Sequence, residues 1–121
     1  MTPVADDEIV LRHIPGGPSW QVPPDGRIAS PNFRLRPTET GLSVSRSGLT
    51  SPTVLMTRIG NPLTGSRIAA ALVSDITGLG FEVVPVPLPD DPGHAEVRST
   101  TADIAEKAVQ RQLSLVFRYV I

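Results

Sequence analysis

Residues 81–98 read FEVVPVPLPDDPGHAEVR and contain two strand-like runs on either side of a proline-rich turn. The first run, FEVVPV, is rich in β-branched residues and predicts a strand. Four prolines between residues 85 and 92 remove backbone donors, so residues 85–93 cannot lie inside a sheet. HAEVR then alternates with a period of two. It predicts a second strand with an apolar face, Ala95 and Val97, and a polar face, His94, Glu96 and Arg98.

The C-terminal residues 100–121 predict an amphipathic helix. Thr100 and Asp103 have the spacing of a capping box. The last seven residues, LVFRYVI, favour an extended tail. On a helical wheel the apolar residues share one broad face and the polar residues the other, with Gln112 interrupting the apolar side. The apolar face holds Ile104, Ala105, Ala108, Val109, Leu113, Leu115, Val116 and Tyr119, and the polar face holds Glu106, Lys107, Gln110, Arg111, Ser114 and Arg118.

These elements predict an α+β fold, with a small mixed or antiparallel sheet and the C-terminal amphipathic helix packed on it. A chain of 121 residues fits one compact domain, residues 1–121. We expect residues 1–8 to form a flexible N-terminus.

The rest of the chain predicts further short elements. IVLRHI and GLSVSR read as strands, and in the second we expect Ser43 and Ser45 to face solvent. A turn-rich loop follows the first strand, and GRIASPNF predicts a short extended piece that Pro31 halts. Ser51 and Pro52 supply an N-cap and a first helical residue for a short helix.

Residues 61–84 allow two interpretations. Their alanines favour a helix from Pro62, capped by Asn61, to Thr77. The alternative, which we favour, is a strand followed by one helical turn that Gly80 closes. It has the strand at Ile68–Val73, the N-cap at Ser74 and the helical turn at Asp75–Leu79.

Composition limits the compartment and the class of partner. The chain has no cysteine, its first eight residues lack the basic and apolar parts of a signal peptide, and no apolar run reaches about 18 residues. We therefore expect a cytoplasmic protein with no membrane contact. Residues 26–74 carry six arginines against one glutamate, a balance of +5. Arginine outnumbers lysine ten to one, which either codon usage or an arginine-lined surface for phosphate or carboxylate would explain. With five aromatic residues in all, this is a weak nucleic-acid signal.

The chain contains none of the motifs GxxxxGK[ST], GxGxxG, GxSxG or HExxH. Neither histidine has a metal-type partner three or four residues after it in the sequence, so we predict no metal site and no cofactor. An alternative is a metal site assembled through space from His13, His94 and Glu96.

Both histidines lie where a predicted strand meets a turn. If the strands of His13 and His94 are neighbours, the two imidazoles face one cleft together with Arg12 or Arg46. Such a set performs acid–base chemistry on a phosphodiester without metal. The structural alternative, which we favour, is that His94 bonds the carbonyls freed by Pro89 and Pro92 and locks the turn.

Four residues are candidates for binding a ligand: Trp20, Ser30, Asn32 and Arg46. Trp20 lies in a Gly/Pro loop, where covering the core is the more frequent role. Ser30 and Asn32 equally suit a turn around Pro31.

The order RHI, GRIASPNF, GLSVSR and GFEVVPVPLPDDPGHAEV, followed by a helix, resembles a layout found in short bacterial proteins of uncharacterised function. The resemblance covers roughly residues 10–120. It implies a recurring design and no particular activity.

Three functions remain open on this basis. The first is a binding or accessory module whose partner is another protein, with nucleic acid the weaker alternative. The second is a metal-independent enzyme acting on RNA or a nucleotide, with His13 and His94 as the acid–base pair. The third is an ADP-ribosyltransferase-like domain that uses Arg12 and either Ser30 or Ser43, although the chain is short for that fold.

Overall fold

The computed structural model of the protein describes residues 3–14, 28, 30–34, 40–58, 66–99 and 107–120. Within these residues six strands form one antiparallel sheet in the order β4-β5-β2-β1-β3-β6, which confirms the α+β class. The strands are β1 (Ile9–Ile14), β2 (Leu42–Arg46), β3 (Arg67–Leu72), β4 (Phe81–Pro85), β5 (His94–Ser99) and β6 (Arg118–Tyr119). The helices are α1 (Pro52–Arg58), α2 (Val73–Thr77) and α3 (Lys107–Val116), and Ser30–Phe33 forms a 3-10 turn.

The sheet has two unlike faces, because successive side chains of a strand point to opposite sides. The main core lies on the face that α2 and α3 cover, here called the helix face. Leu11 and Ile68 point to the opposite face and are also buried, on the side where α1 contacts β1 and β3. The helix face contributes Val10, Ile14, Leu42, Val44, Ala69, Ala71, Phe81, Ala95 and Val97 to the core.

Helix α3 packs on the helix face as predicted. It is rotated about its axis relative to the prediction, so a different set of its residues is buried. Val109 and Leu113 are buried, and so is Phe117 just beyond the helix end. Gln110 and Ser114, predicted to face solvent, are buried too, whereas Leu115, predicted to face the core, is exposed. The Ser114 hydroxyl donates to the carbonyl oxygen of Arg111 at 2.7 Å, so burial leaves it satisfied. An extended tail follows the helix as β6, but it begins later than predicted, because Leu115 and Val116 still belong to α3. The capping-box residues and the apolar residues before Lys107 lie outside the described residues.

The strand-then-turn interpretation of residues 61–84 is confirmed by β3 and α2, and Gly80 takes the positive φ of 93° that closes the turn. The predicted N-cap at Ser74 is wrong, since α2 starts two residues earlier than predicted and its N-cap is Leu72, with no side-chain bond. The first backbone N–H groups of α2 instead reach the N-terminal segment. Val73 N donates to the carbonyl oxygen of Glu8 at 2.9 Å, and Ser74 N to that of Asp6 at 3.0 Å.

Two further local predictions had opposite outcomes. The helix start at Ser51 is confirmed, because its hydroxyl accepts from Val54 N at 3.1 Å. The extended piece predicted before Pro31 is wrong at Ser30, where the 3-10 turn begins, whereas the turn predicted around Pro31 is present at Ser30–Phe33. The fixed φ of proline suits the first turn of a helix as well as an extended chain.

Candidate functional site

His94 begins β5 and completes the last rung of the β4–β5 ladder with its side chain. Val86 N donates to the carbonyl oxygen of His94 at 2.9 Å, but His94 N donates to the carbonyl oxygen of Asp91 instead of returning to Val86. The ring atom Nδ1 of His94 lies 2.9 Å from the carbonyl oxygen of Val86. Because a carbonyl only accepts, Nδ1 carries the proton and donates. The ring therefore takes the place of a backbone donor to the carbonyl oxygen of Val86. The predicted acceptors, the carbonyls freed by Pro89 and Pro92, are not the ones it bonds.

A buried polar contact ties this turn to β2. The Ser45 hydroxyl donates to Asp91 Oδ2 at 2.8 Å, and Gly93 N donates to Asp91 Oδ1 at 3.2 Å. Ser45 and Asp91 are both buried, which corrects the prediction that Ser45 faces solvent, whereas Ser43 is exposed as predicted. The Ser45 hydroxyl therefore makes a buried hydrogen bond that joins β2 to the turn.

Arg12 lies where strands β1 and β2 part. The two strands pair at Val10 with Arg46 and at Leu11 with Ser45, and the pairing ends before Arg12. Beyond that point the Arg12 guanidinium, and not the β1 backbone, forms a hydrogen bond to β2.

Its Nη1 donates to the carbonyl oxygen of Ser43 at 2.7 Å, and its Nη2 and Nε donate to the carbonyl oxygen of Asn32 at 2.8 and 3.1 Å. The guanidinium carbon also lies 5.8 Å from the centre of the Phe33 ring. Arg12 thus bridges β2 and the 3-10 turn, and Asn32 is buried beside it.

His13 is half-buried on the face opposite to Arg12. Its Nε2 is buried and has no hydrogen-bond partner in the part of the chain that the structure describes. Burial, followed by the charge of Arg12, lowers the pKa of the His13 imidazole below its ordinary value of 6.5. The neutral ring is therefore the form that the fold favours.

The two histidines point to the same face but have strand β2 between them. His94 lies opposite Ser45, which lies opposite Leu11, and His13 is two residues beyond Leu11. Two strand spacings and a two-residue offset separate the His13 and His94 Cα atoms by about 12 Å. The structure therefore brings the predicted acid–base pair into no contact with each other.

Arg46 does not join the histidines either. Its Nε and Nη2 donate to the two carboxylate oxygens of Glu8 at 2.9 and 2.8 Å, and Nη2 also reaches the carbonyl oxygen of Pro3 at 3.3 Å. The hydrogen bonds from Arg46 lower the pKa of the Glu8 carboxyl despite its partial burial. Arg46 anchors the N-terminal segment to β2. Trp20 and the side chain of Ser30 lie outside the described residues.

A site that the sequence analysis missed lies at the edge of the sheet. Here β6 pairs with β3 only at Ala69 and Ala70, while β3 continues to Leu72. A groove of about 450 Å³ opens beside Leu72, where α3 ends and β6 begins. We call it the edge groove, and it is lined by Ile9, Ala70, Ala71, Leu72, Asp75, Leu115, Val116 and Arg118.

The edge groove is apolar, with one charge of each sign. The exposed apolar side chains that line it are Ile9 (45%), Leu72 (38%) and Leu115 (53%). Asp75 and Arg118 are exposed, and neither makes an ion pair with any residue in the described ranges. Leu115 was visible in the sequence as an apolar helix residue, but its exposure follows from the rotated α3 stripe.

The opposite edge of the sheet is protected. Strand β4 carries Pro85, which removes a backbone donor, and an exposed acid at Glu82. Proline and charge at an edge prevent further strands from pairing there. The edge groove contains no proline and is mostly apolar, with Asp75 and Arg118 as its two charged residues.

No group of three or more histidine, cysteine or acidic side chains in the described ranges is placed to hold a metal ion. Among the same residues, no helix has the length and apolar character needed to cross a membrane. Comparisons of the chain with known protein families, with curated proteins and with solved structures found no match.

Proposed function

We propose that this protein is a binding module whose edge groove takes up an apolar, extended segment of a protein chain. The observation that carries the proposal is a mostly apolar groove of about 450 Å³ at the β3–β6 edge of the sheet, lined by the exposed side chains of Leu72 and Leu115. Exposed apolar patches with a polar rim are typical of interaction sites.

The backbone of β3 supports an extended occupant. Val120 N donates to the carbonyl oxygen of Ile68 at 2.9 Å, so Ile68 bonds toward β6. Bonding direction alternates along a strand, which puts Ala70 and Leu72 on the same side. The backbone N–H of Leu72 therefore points toward the β6 side of β3, beyond Arg118, the first residue of β6. An added segment that continues this ladder would bind by strand addition.

The side chains around this edge define the chemistry of the segment. Its apolar residues would contact Leu72 and Leu115, and burying such surface contributes about 25 cal/mol per Å². A basic residue would lie near Asp75 and an acidic residue near Arg118. Because a chain without cysteine needs no oxidising compartment, we place this binding in the cytoplasm.

A displayed library of short extended peptides tests the proposal. Peptides are selected on the wild-type protein and counter-selected on Leu115→Glu, and selected peptides are then titrated by fluorescence anisotropy. We expect an apolar consensus with one acid and one base, and at least tenfold weaker binding to Leu115→Glu. Leu49→Glu is the matched control, because Leu49 is also 53% exposed but lies outside the edge groove. The proposal fails if no peptide distinguishes wild type from Leu115→Glu while both variants remain folded.

A further inference from the structure

We propose that the extended segment bound at the edge groove is the β3–β6 edge of a second copy of this chain, so that the protein forms a two-fold symmetric dimer. The inference rests on the proposed function and names the partner. In such a dimer the β3–β6 edges of the two copies run antiparallel.

Charge complementarity is the first support. A two-fold interface uses the same patch on both copies, so the patch must contain both members of every contact. The edge groove contains both charges, Asp75 on α2 and Arg118 on β6. Neither residue makes an ion pair with another residue in the described ranges. A two-fold rotation brings Asp75 of each copy to Arg118 of the other. Two ion pairs then flank a shared apolar centre.

The asymmetry of the sheet is the second support. In the part of the chain that the structure describes, Pro85 removes a backbone donor from β4, which makes strand addition less favourable there than at the β3–β6 edge. Strand addition at one edge of each chain favours a closed pair, whereas addition at both edges would permit a fibre. The exposed apolar side chains Ile9, Leu72 and Leu115 lie at that edge.

Sedimentation equilibrium of the full chain tests the dimer through charge reversal. The wild type should show a concentration-dependent monomer–dimer equilibrium. Asp75→Arg alone places like charges opposite each other, and Arg118→Asp alone does the same with acids. Each should weaken dimerisation at least tenfold. An equimolar mixture of these two variants should dimerise again, because all cross pairs then have opposite charge, and so should the double variant.

Matched controls reverse exposed charges elsewhere. Asp90→Arg lies on the proline-rich turn and Arg111→Asp on α3, both outside the edge groove, and both should dimerise as the wild type does.

Each outcome decides between the two proposals. A wild-type chain that stays monomeric, while selected peptides still distinguish Leu115→Glu, overturns the dimer and leaves the binding module standing. Dimerisation that survives both single reversals, or that the mixture fails to restore, overturns the paired-groove geometry. A monomer that also binds no selected peptide overturns both proposals.

Discussion

The imidazole of His94 donates through Nδ1 to the carbonyl oxygen of Val86 at 2.9 Å, on the rung of the β4–β5 ladder where a backbone N–H would ordinarily donate. The backbone N–H of His94 is occupied by Asp91, because the turn folds back on itself there. The His94 side chain thus adds a hydrogen bond between β4 and β5 at the point where the proline-rich turn ends their backbone pairing.

Replacement of His94 separates this structural role from a catalytic one. Asparagine places an amide N–H near the position of Nδ1, so His94→Asn should retain the bond to Val86 and cost about 1 kcal/mol or less in unfolding free energy. His94→Ala leaves the carbonyl oxygen of Val86 without its side-chain donor and should cost about 1–3 kcal/mol. Urea denaturation of both variants measures the difference. Equal losses in the two variants would show that the hydrogen bond contributes nothing.

The strands could be predicted from the sequence because hydropathy alternation reports directly which face is buried. Ala95 and Val97 point to the core, and His94 and Glu96 do not, as the period of two requires. The boundary at α2 could not be predicted, because its first N–H groups bond to the carbonyls of a segment far away in the chain. Local capping rules contain no information on such partners.

The buried stripe of α3 predicts a contrast between two leucines. Leu113 is fully buried, so Leu113→Ala should lower the free energy of unfolding by about 2–5 kcal/mol. Leu115 is 53% exposed, and Leu115→Ala should change it by less than about 0.5 kcal/mol at low protein concentration. Chemical denaturation of both variants checks the pair. A larger loss of unfolding free energy for Leu115→Ala than for Leu113→Ala would contradict this orientation of α3.

The candidate site was harder to predict than the fold, for a physical reason. Residue type alone made candidates of His94, Arg12 and Arg46. Their side chains instead make hydrogen bonds that support the fold, to Val86, Asn32 and Glu8 respectively. The edge groove depends on where β6 stops pairing with β3 and on the rotation of α3. Neither quantity is encoded by a local pattern of residues.

The ion pair between Arg46 and Glu8 should make the fold acid-labile. The folded-state pKa of the Glu8 carboxyl is below its ordinary value of 4.5, chiefly through hydrogen bonds from Arg46. The stabilisation is therefore fully present above that value and is lost as the pH falls through the folded-state pKa. Glu96 adds to the same loss, since burial raises its pKa but hydrogen bonds from Thr40 and Arg98 outweigh burial and lower it.

Glu8→Gln tests this directly. The variant should be less stable than wild type at neutral pH, and its unfolding free energy should fall less steeply below about pH 4.5. Identical slopes for the two proteins, measured by denaturant unfolding at stepped pH, would contradict the assignment.

Protonation of His13 should cause a separate loss of stability, at a higher pH than the loss caused by the carboxyl groups. Burial and the nearby charge of Arg12 lower the pKa of its imidazole below the ordinary 6.5, so the unfolded chain binds the proton more readily than the folded chain. Stability is then greatest above pH 6.5 and declines as the pH falls through the folded-state pKa. His13→Asn removes the titrating group and should flatten the decline that starts near pH 6.5, leaving the later decline near 4.5 unchanged. Glu8→Gln is the matched control, because it should alter only the later one. A wild-type protein whose unfolding free energy is constant from pH 7 to the onset of carboxyl titration would show that protonation of His13 costs the fold nothing.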